Sequence, residues 1–263
     1  MKTVHTMKQR LYSTGAAVLV TVAVVSSPLA FTHSAGAEGF DFFKSVHDAI
    51  ENHKSPSPHA SSNQLQQIIS RGDAEITRRL QTLVHLNNLI SSAQHLTASN
   101  KTALESEVND TINGLNTLKA KLDSDTTVAS AHTDVQSIYT EYRVYALVVP
   151  KIHLIKLADD IQATDTKLTT LAGKLQSRIN TASSQGKDVS ALLTKLTDLN
   201  AQIAAAQNIA MNVEAKVITL LPSDYNNDHS ILGSYGSQLK IARSDNQAAY
   251  GDARNIINAL KTL

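Results

Sequence analysis

The sequence has 263 residues, a formal net charge of +1, no cysteine and no tryptophan, and only 4% aromatic residues. This composition excludes disulfide bonds and cysteine nucleophiles, and the balanced charge offers no basic surface for nucleic acid. Ten glycines and five prolines are few for this length, and no alternating run of Val, Ile and Tyr predicts a strand. We therefore expect a mostly helical protein built from long elements.

Residues 1–37 have the organisation of a signal peptide. Three basic residues in the first ten precede an apolar run over residues 15–25, and small residues then lead to a cleavage site after Ala37. The alternative is a retained membrane anchor, but the run is shorter than the roughly 20 residues that a membrane span needs. Cleavage removes three basic and no acidic residues, which leaves 21 basic against 23 acidic residues and a net charge of −2. With no second apolar span, we expect a secreted or cell-envelope protein.

Residues 38–62 are predicted to form a short amphipathic leader and a linker. The leader contains all the phenylalanines that follow the signal, Phe40, Phe42 and Phe43. The linker, residues 54–62, is rich in proline and serine, which end a helix and offer no core. Two interpretations of the leader stay open: a floppy segment, or a docking helix whose phenylalanines bind the bundle or a partner.

The remaining domain, residues 63–263, shows apolar residues every three or four positions, the spacing of helices that pack like coiled coils. We predict helices over Asn63–Leu96, Asn100–Leu122, Val128 to Pro150, Ile152 to Ser183, Asp188–Leu220 and Ser230–Leu263, with Ser99 as an N-cap and a loop over Leu221–Asp228. Short connections between matched apolar seams favour antiparallel hairpins. The predicted fold class is all-α: antiparallel helical hairpins in an elongated bundle.

The most unusual stretch runs from Tyr139 to His153, where three tyrosines and an arginine precede a proline inside a helical pattern. Proline lacks a backbone N–H and crowds the carbonyl four residues back. We therefore expect a kink or break at Ala146–Val149. The candidate functional residues are Tyr139, Tyr142, Arg143, Tyr145, Pro150 and Asp159.

Two interpretations of these candidates stay open. In the first they form a polar clamp that fixes the kink, with Arg143 paired to Asp159 or Asp160 across it, or to Asp134 on another helix. In the second the kink opens a site for a ligand or partner, and Arg143 binds its anionic group.

Other motifs indicate no chemistry. The sequence has no GxSxG motif, no Glu-x-x-His pair and no His-x3-His pair on a helix, so we predict no enzyme, no cofactor and no metal site. The tripeptide Arg71-Gly72-Asp73 resembles an integrin ligand, but its glycine falls on the predicted buried seam. Asn100 and Asn109 begin glycosylation sequons, which matter only if the source glycosylates.

A resemblance rests on the segment around the candidates. It consists of Asp123-x-Asp125-Thr126, then Asp134-Val135-x-x-Ile138-Tyr139-x-x-Tyr142-Arg143-Val144-Tyr145, then Pro150 and His153. This pattern is similar to a family of predicted secreted, all-helical bacterial proteins, over about residues 73–161. The resemblance implies a bacterial source and an exported helical protein, and it brings no assigned activity. Where the family has Ala-Ala-Asp after the proline, this chain has Leu157-Ala158-Asp159.

Three classes of function follow from these observations. The leading one is a secreted or cell-envelope structural or interaction protein whose partner is an envelope or extracellular protein. The second is an extracytoplasmic helical-bundle domain that binds a ligand or acts as a sensor through Tyr142, Arg143 and Tyr145. The third is a membrane-active helical toxin that exposes Val144–Leu157. The pattern does not predict an oligomeric state.

Overall fold

The computed structural model of the chain describes residues 58–263. Within this range the secondary structure is helical and contains no strand, which confirms the predicted all-α class. The helices are α1 Pro58–Ser92, α2 Ala98–Asp123, α3 Val128–Thr140, a π-helical turn Val144–Val148, α4 Val149–Ser184, α5 Ser190–Val217, α6 Pro222–Asn227 and α7 Ile231–Thr262. The predicted signal peptide and the phenylalanine-rich leader lie outside the described residues.

The helices pack in two groups. Helices α1 and α2 form a hairpin, and α3 packs against both of them. Helices α4, α5 and α7 pack side by side as a three-helix bundle. At about 1.5 Å per residue, their 36, 28 and 32 residues give rods of roughly 54, 42 and 48 Å.

Two hydrophobic cores hold these groups. The first core joins α1, α2 and α3 to the beginning of α4, the end of α5 and the beginning of α7. The second core lies only between α4, α5 and α7. Its buried members are Leu168, Ala172, Leu175, Ile179, Val189, Leu192, Leu196, Leu199, Ile203, Ala249, Ala253 and Ile256. Burial of these apolar seams is the main source of helix stability, as it is in most helical proteins.

Several helix ends shift by a few residues, such as α1 ending at Ser92 rather than Leu96, and four further predictions differ from the structure. Helix α1 begins at Pro58, inside the predicted linker, because proline is tolerated in the first turn of a helix. The N-cap of α2 is Thr97 rather than Ser99, since the Thr97 side chain accepts a hydrogen bond from the Asn100 N–H. The predicted loop after α5 contains the short helix α6, which also has a proline in its first turn. The fourth difference is the position of the break before α4.

Two of the sequence motifs are buried. Gly72 of the Arg-Gly-Asp tripeptide lies in α1 against α2 and α3, where an added Cβ would lie 2.5 Å from Leu122 and 2.8 Å from Val135. This position confirms that its glycine is on the core side. Asn100, the first sequon residue, is only 5% exposed and bonded to two carboxylates, so the folded protein does not offer it for modification.

Candidate functional site

The candidate residues surround an interruption between α3 and α4. Helix α3 ends at Thr140, and Arg143 then adopts the left-handed conformation with φ 44° and ψ 37°. The chain next forms the π-helical turn, and Pro150 lies in the first turn of α4. The predicted kink or break at Ala146–Val149 overlaps the π-helical turn, but the chain leaves the helix earlier, at residues 141–143. The helix is interrupted at Arg143, where the handedness of the backbone reverses from right to left; we call this point the reversal. Pro150 occupies a position where its missing N–H is tolerated.

Arg143 contacts the short helix α6 rather than an aspartate. Its Nε donates to Asn226 Oδ1 at 2.7 Å, and its guanidinium lies 5.4 Å from the centre of the Tyr225 ring. The Asn226 amide in turn donates to the Thr140 carbonyl at the end of α3, at 3.1 Å. Partial burial lowers the pKa of Arg143, but arginine keeps its proton at physiological pH. Asn226 thus connects both sides of the reversal to α6.

The predicted aspartate partners of Arg143 bind other groups. Asp134, which is 2% exposed, pairs with Lys121 at 2.7 Å. Asp160 pairs with Lys156 at 2.7 Å and with the His95 ring at 2.9 Å. The sequence pattern gave the wrong partner because it assumed that a continuous helix with a kink would carry Arg143 towards the following turns.

Tyr139 and Tyr145 meet on a residue that the sequence analysis missed, Arg79 of α1. The Arg79 guanidinium lies 4.6 Å from the centre of the Tyr139 ring and 5.0 Å from that of Tyr145, within cation–π range. Residues six apart on a continuous α-helix would point about 120° apart around the axis. The reversal at Arg143 therefore allows both rings to face the same side chain.

Arg79 is itself buried, with 4% of its surface exposed. Its Nη1 donates to the Glu75 carboxylate at 2.6 Å and to the Glu75 carbonyl at 3.0 Å, and its Nε has no hydrogen-bond partner. Burial and the Glu75 charge raise the pKa of Tyr139, while Arg79 opposes that shift. The Tyr145 hydroxyl lies 3.3 Å from Thr82 Oγ1. A sequence signal for this cluster existed, since Arg79 stands three residues after the buried Ile76 on the apolar seam.

Tyr142 packs against a glycine of α2. A Cβ added at Gly114 would lie 2.5 Å from Tyr142 Cε1 and 2.9 Å from its hydroxyl oxygen. The ring is partly buried, and burial raises the pKa of its hydroxyl, with Glu141 adding to the shift. Gly114 therefore provides the space for this tyrosine on the α2 surface.

Asp159 lies apart from the reversal. It contacts the turn between α1 and α2. Its Oδ2 accepts hydrogen bonds from the Thr97 N–H and from the Asn100 amide, both at 2.9 Å. The same Asn100 amide donates to Glu214 of α5 at 2.8 Å. Burial raises the pKa of Asp159, and the bonds from Asn100 and Thr97 oppose the shift. Asp159 therefore connects α4 to α2 and the preceding turn, and the candidate set does not form one site.

A second missed residue is Lys151, one position after the proline. It is 3% exposed, and its Nζ lies 2.8 Å from Glu107 Oε2 of α2. The same Nζ donates to the Leu220 carbonyl after α5 at 3.0 Å. Lys151 thus joins α4 to two other parts of the first core. Its position beside Ile152 in the apolar stripe was the available signal.

The apolar residues near the proline face inward. Val144, Leu147, Val148, Ile152, Leu154 and Ile155 are all 3% exposed or less. In this fold the stretch Val144–Leu157 thus contributes to the core rather than to an apolar surface. None of the helices in the described range is both long and apolar enough to cross a lipid bilayer.

The arrangement can bind helices together through charge-assisted hydrogen bonds and cation–π contacts. Between residues 58 and 263, no three histidine or carboxylate side chains converge in a way that could hold a metal ion. Fold and site together define an all-α bundle with buried polar connections between its helices. No family model matches the sequence, and no match is found among curated proteins or solved structures.

Proposed function

We propose that this chain is an exported, non-enzymatic helical module that binds a protein partner in the cell envelope or outside the cell. The observation that carries the proposal is that the buried polar groups bond to other side chains and to the backbone within the fold. Arg79, Lys151 and Asp159 each bond to side chains or backbone of neighbouring residues and helices. Groups held in this way fix the packing, which leaves the outer faces of the helices as the functional surface.

The length of the helices supports the same role. Helices α4, α5 and α7 pack along one another over several turns, and their exposed side chains are mainly Ser, Thr, Asn, Lys and Ala. A rigid bundle with long polar faces is suited to presenting surface, because its side chains need little ordering when a partner binds. Binding by such a surface needs no buried pocket.

The export part of the proposal rests on the features of residues 1–37. Expression of the full chain in a bacterium and mass spectrometry of the mature protein test it. We expect an N-terminus at Glu38 or a near neighbour. Recovery of intact Met1 in the membrane fraction would instead identify a retained anchor.

Site-specific photo-cross-linking in the native host tests the interaction. The probe replaces one exposed residue at a time: Leu193 or Met211 on α5, Ile241 on α7, and Val84 on α1. We expect adducts of discrete mass from one helical face and none from the others, because a specific partner covers only part of the surface. Absence of adducts from every position, together with a small molecule that copurifies with the chain, would contradict the proposal.

A second candidate is a ligand-binding or sensor domain at the reversal. It is favoured by the partly exposed Arg143 guanidinium, which lies over Tyr225 beside the exposed Asn226. Native mass spectrometry of the purified chain and of Arg143→Ala distinguishes the two functions. A bound small anion that disappears in the variant, with unchanged melting, would favour this second function.

A further inference from the structure

A buried polar layer crosses the three-helix bundle at the boundary between its two cores. Asp165 of α4 lies on the seam between Ile161 of the first core and Leu168 of the second. Asn246 of α7 lies in the same way between Ala242 and Ala249. The apolar seams of the bundle are thus interrupted at matching positions on two helices.

The layer has too few hydrogen-bond donors. Asp165 is 2% exposed and Asn246 is 8% exposed. Neither carboxylate oxygen of Asp165 makes a hydrogen bond of normal geometry, and Asn246 Oδ1 also has no donor. An ionised carboxylate in this position is unfavourable, because burial removes its hydration and the Asn246 amide replaces only part of it. A proton on Asp165 supplies the missing donor, since its O–H can bond to Asn246 Oδ1.

The charges around the layer do not compensate for the carboxylate. Helix α5 has no titratable residue between Asp198 and Glu214, and its seam here consists of Ile203 and Ala206. On α7 the nearest titratable residues in sequence are Arg243, Asp245 and Tyr250, each only partly buried. On α4 itself, Asp160 is paired to Lys156 and His95, and Lys167 is exposed.

These surroundings change the acidity of Asp165 strongly. Burial raises the pKa of its carboxyl from 3.8 to about 6, and the Asn246 amide opposes the shift only in part. A carboxyl whose pKa is higher in the folded than in the unfolded chain favours folding when it is protonated. That contribution is complete below about pH 4 and is lost as pH rises to about 6 and above.

We propose that Asp165 and Asn246 form a proton-operated latch, which closes and tightens the α4/α5/α7 bundle in mildly acidic surroundings and loosens it when the carboxyl ionises. In the closed form the Asp165 O–H donates to Asn246 Oδ1. In the open form the bundle must separate locally or admit water to solvate the charge. The latch acts on the bundle and not on the reversal near Arg143.

Carbon-13 NMR of the wild-type side-chain carboxyls tests the latch directly, with Asp165→Asn used to assign the signal. We expect a titration midpoint near pH 6 for Asp165. Amide hydrogen exchange, corrected for intrinsic rates, should be slower at pH 5 than at pH 7.5 around the layer in α4, α5 and α7. A midpoint near pH 4, or exchange protection that does not change with pH, would overturn the proposal.

Stability measurements on matched variants provide a second test. Asp165→Asn keeps the size of the side chain and carries a permanent donor, so we expect it to melt above wild type at pH 7.5. The difference in stability between the variant and wild type should shrink as pH falls to 4. The corresponding change in the folding equilibrium is about 100-fold, because each unit of pKa shift changes it about tenfold. Asp198→Asn, at an exposed position of α5, should show no such pH-dependent difference. The pKa of Asp159 is also raised, but its effect on stability is the same in wild type and variant and so cancels in the difference between them. A constant difference at all pH values would contradict the latch.

Discussion

Arg78 and Arg79 show how burial determines the contribution of an ion pair to the stability of the fold. Both side chains bond to the Glu75 carboxylate, at 2.7 and 2.6 Å. The Arg78 side chain is 63% exposed, whereas that of Arg79 is 5% exposed and lies beside two tyrosine rings. Water screens the first ion pair more than the second, so the two arginines contribute differently to stability despite similar bond lengths.

We expect Arg79→Met to lower the free energy of unfolding by about 2–3 kcal/mol, because Tyr139 and Tyr145 lose a shared cation and Glu75 loses a partner. Arg78→Met is the matched control and should change stability by about 0.5 kcal/mol or less. Urea unfolding followed by circular dichroism measures both. Equal effects of the two substitutions would show that the aromatic contacts of Arg79 contribute nothing.

Two glycines give a second matched pair. Gly72→Ala places a Cβ 2.5 Å from the buried Leu122, whereas Gly173 in α4 has nothing within 4 Å. Alanine is favoured over glycine inside a helix by roughly 0.5–1 kcal/mol. We therefore expect Gly173→Ala to raise the melting temperature and Gly72→Ala to lower it. Stabilisation by both substitutions would show that α1, α2 and α3 pack less closely than described.

At the scale of elements, the interruption between α3 and α4 is the feature that organises the site. The backbone of Arg143 is left-handed and interrupts the helix, and the π-helical turn then leads into α4. Conformations with positive φ are uncommon for residues other than glycine and persist where surrounding contacts hold them. Here Asn226 bonds to both Arg143 and Thr140 and supplies those contacts.

The helix is interrupted at Arg143, seven residues before Pro150, so the proline is not the cause of the interruption. Its position in the first turn of α4 suits its fixed φ. We expect Pro150→Ala to keep the helical content and to lower stability by about 0.5–1 kcal/mol, because the unfolded chain gains freedom. A clear rise in helical circular dichroism would mean that α3 and α4 had joined, and that the proline does set the break.

Much of the element structure is predictable from the sequence, and the reason is physical. Apolar spacing identified the six long segments because each helix buries one stripe, and that stripe is local information. The position of the reversal was missed because nothing local marks Arg143 as left-handed. Its conformation depends on Asn226, 83 residues away. Asp159 was predicted beside Arg143 for the same reason, although its partners lie on α2 and in the preceding turn.

At the scale of the whole described range, buried polar groups join parts of the chain that are distant in sequence. Lys151 is the clearest example, since it connects α4 to Glu107 and to the Leu220 carbonyl. Breaking a buried ion pair by removing one partner leaves the other group without compensation. A lysine on an exposed face would tolerate the same substitution, because water would solvate its former partner.

We expect Lys151→Met to lower the free energy of unfolding by about 3 kcal/mol. Lys156→Met is the control, because the Lys156 side chain is 35% exposed and pairs with Asp160 one turn along the same helix. That substitution should change stability by about 0.5 kcal/mol or less. Thermal unfolding by calorimetry measures both, and a Lys151→Met protein as stable as wild type would contradict the structural role of the buried lysine.

The central claim is that the polar residues at the reversal hold helices together. A double-mutant cycle of Arg143→Ala and Asn226→Ala in urea unfolding tests it most directly, because it isolates the contact between α6 and the reversal. We predict that Arg143→Ala lowers the free energy of unfolding by about 1 kcal/mol, with a coupling between the two residues of about 0.5–1 kcal/mol. Unchanged stability in Arg143→Ala and a coupling of zero would contradict the claim and leave Arg143 available for a ligand.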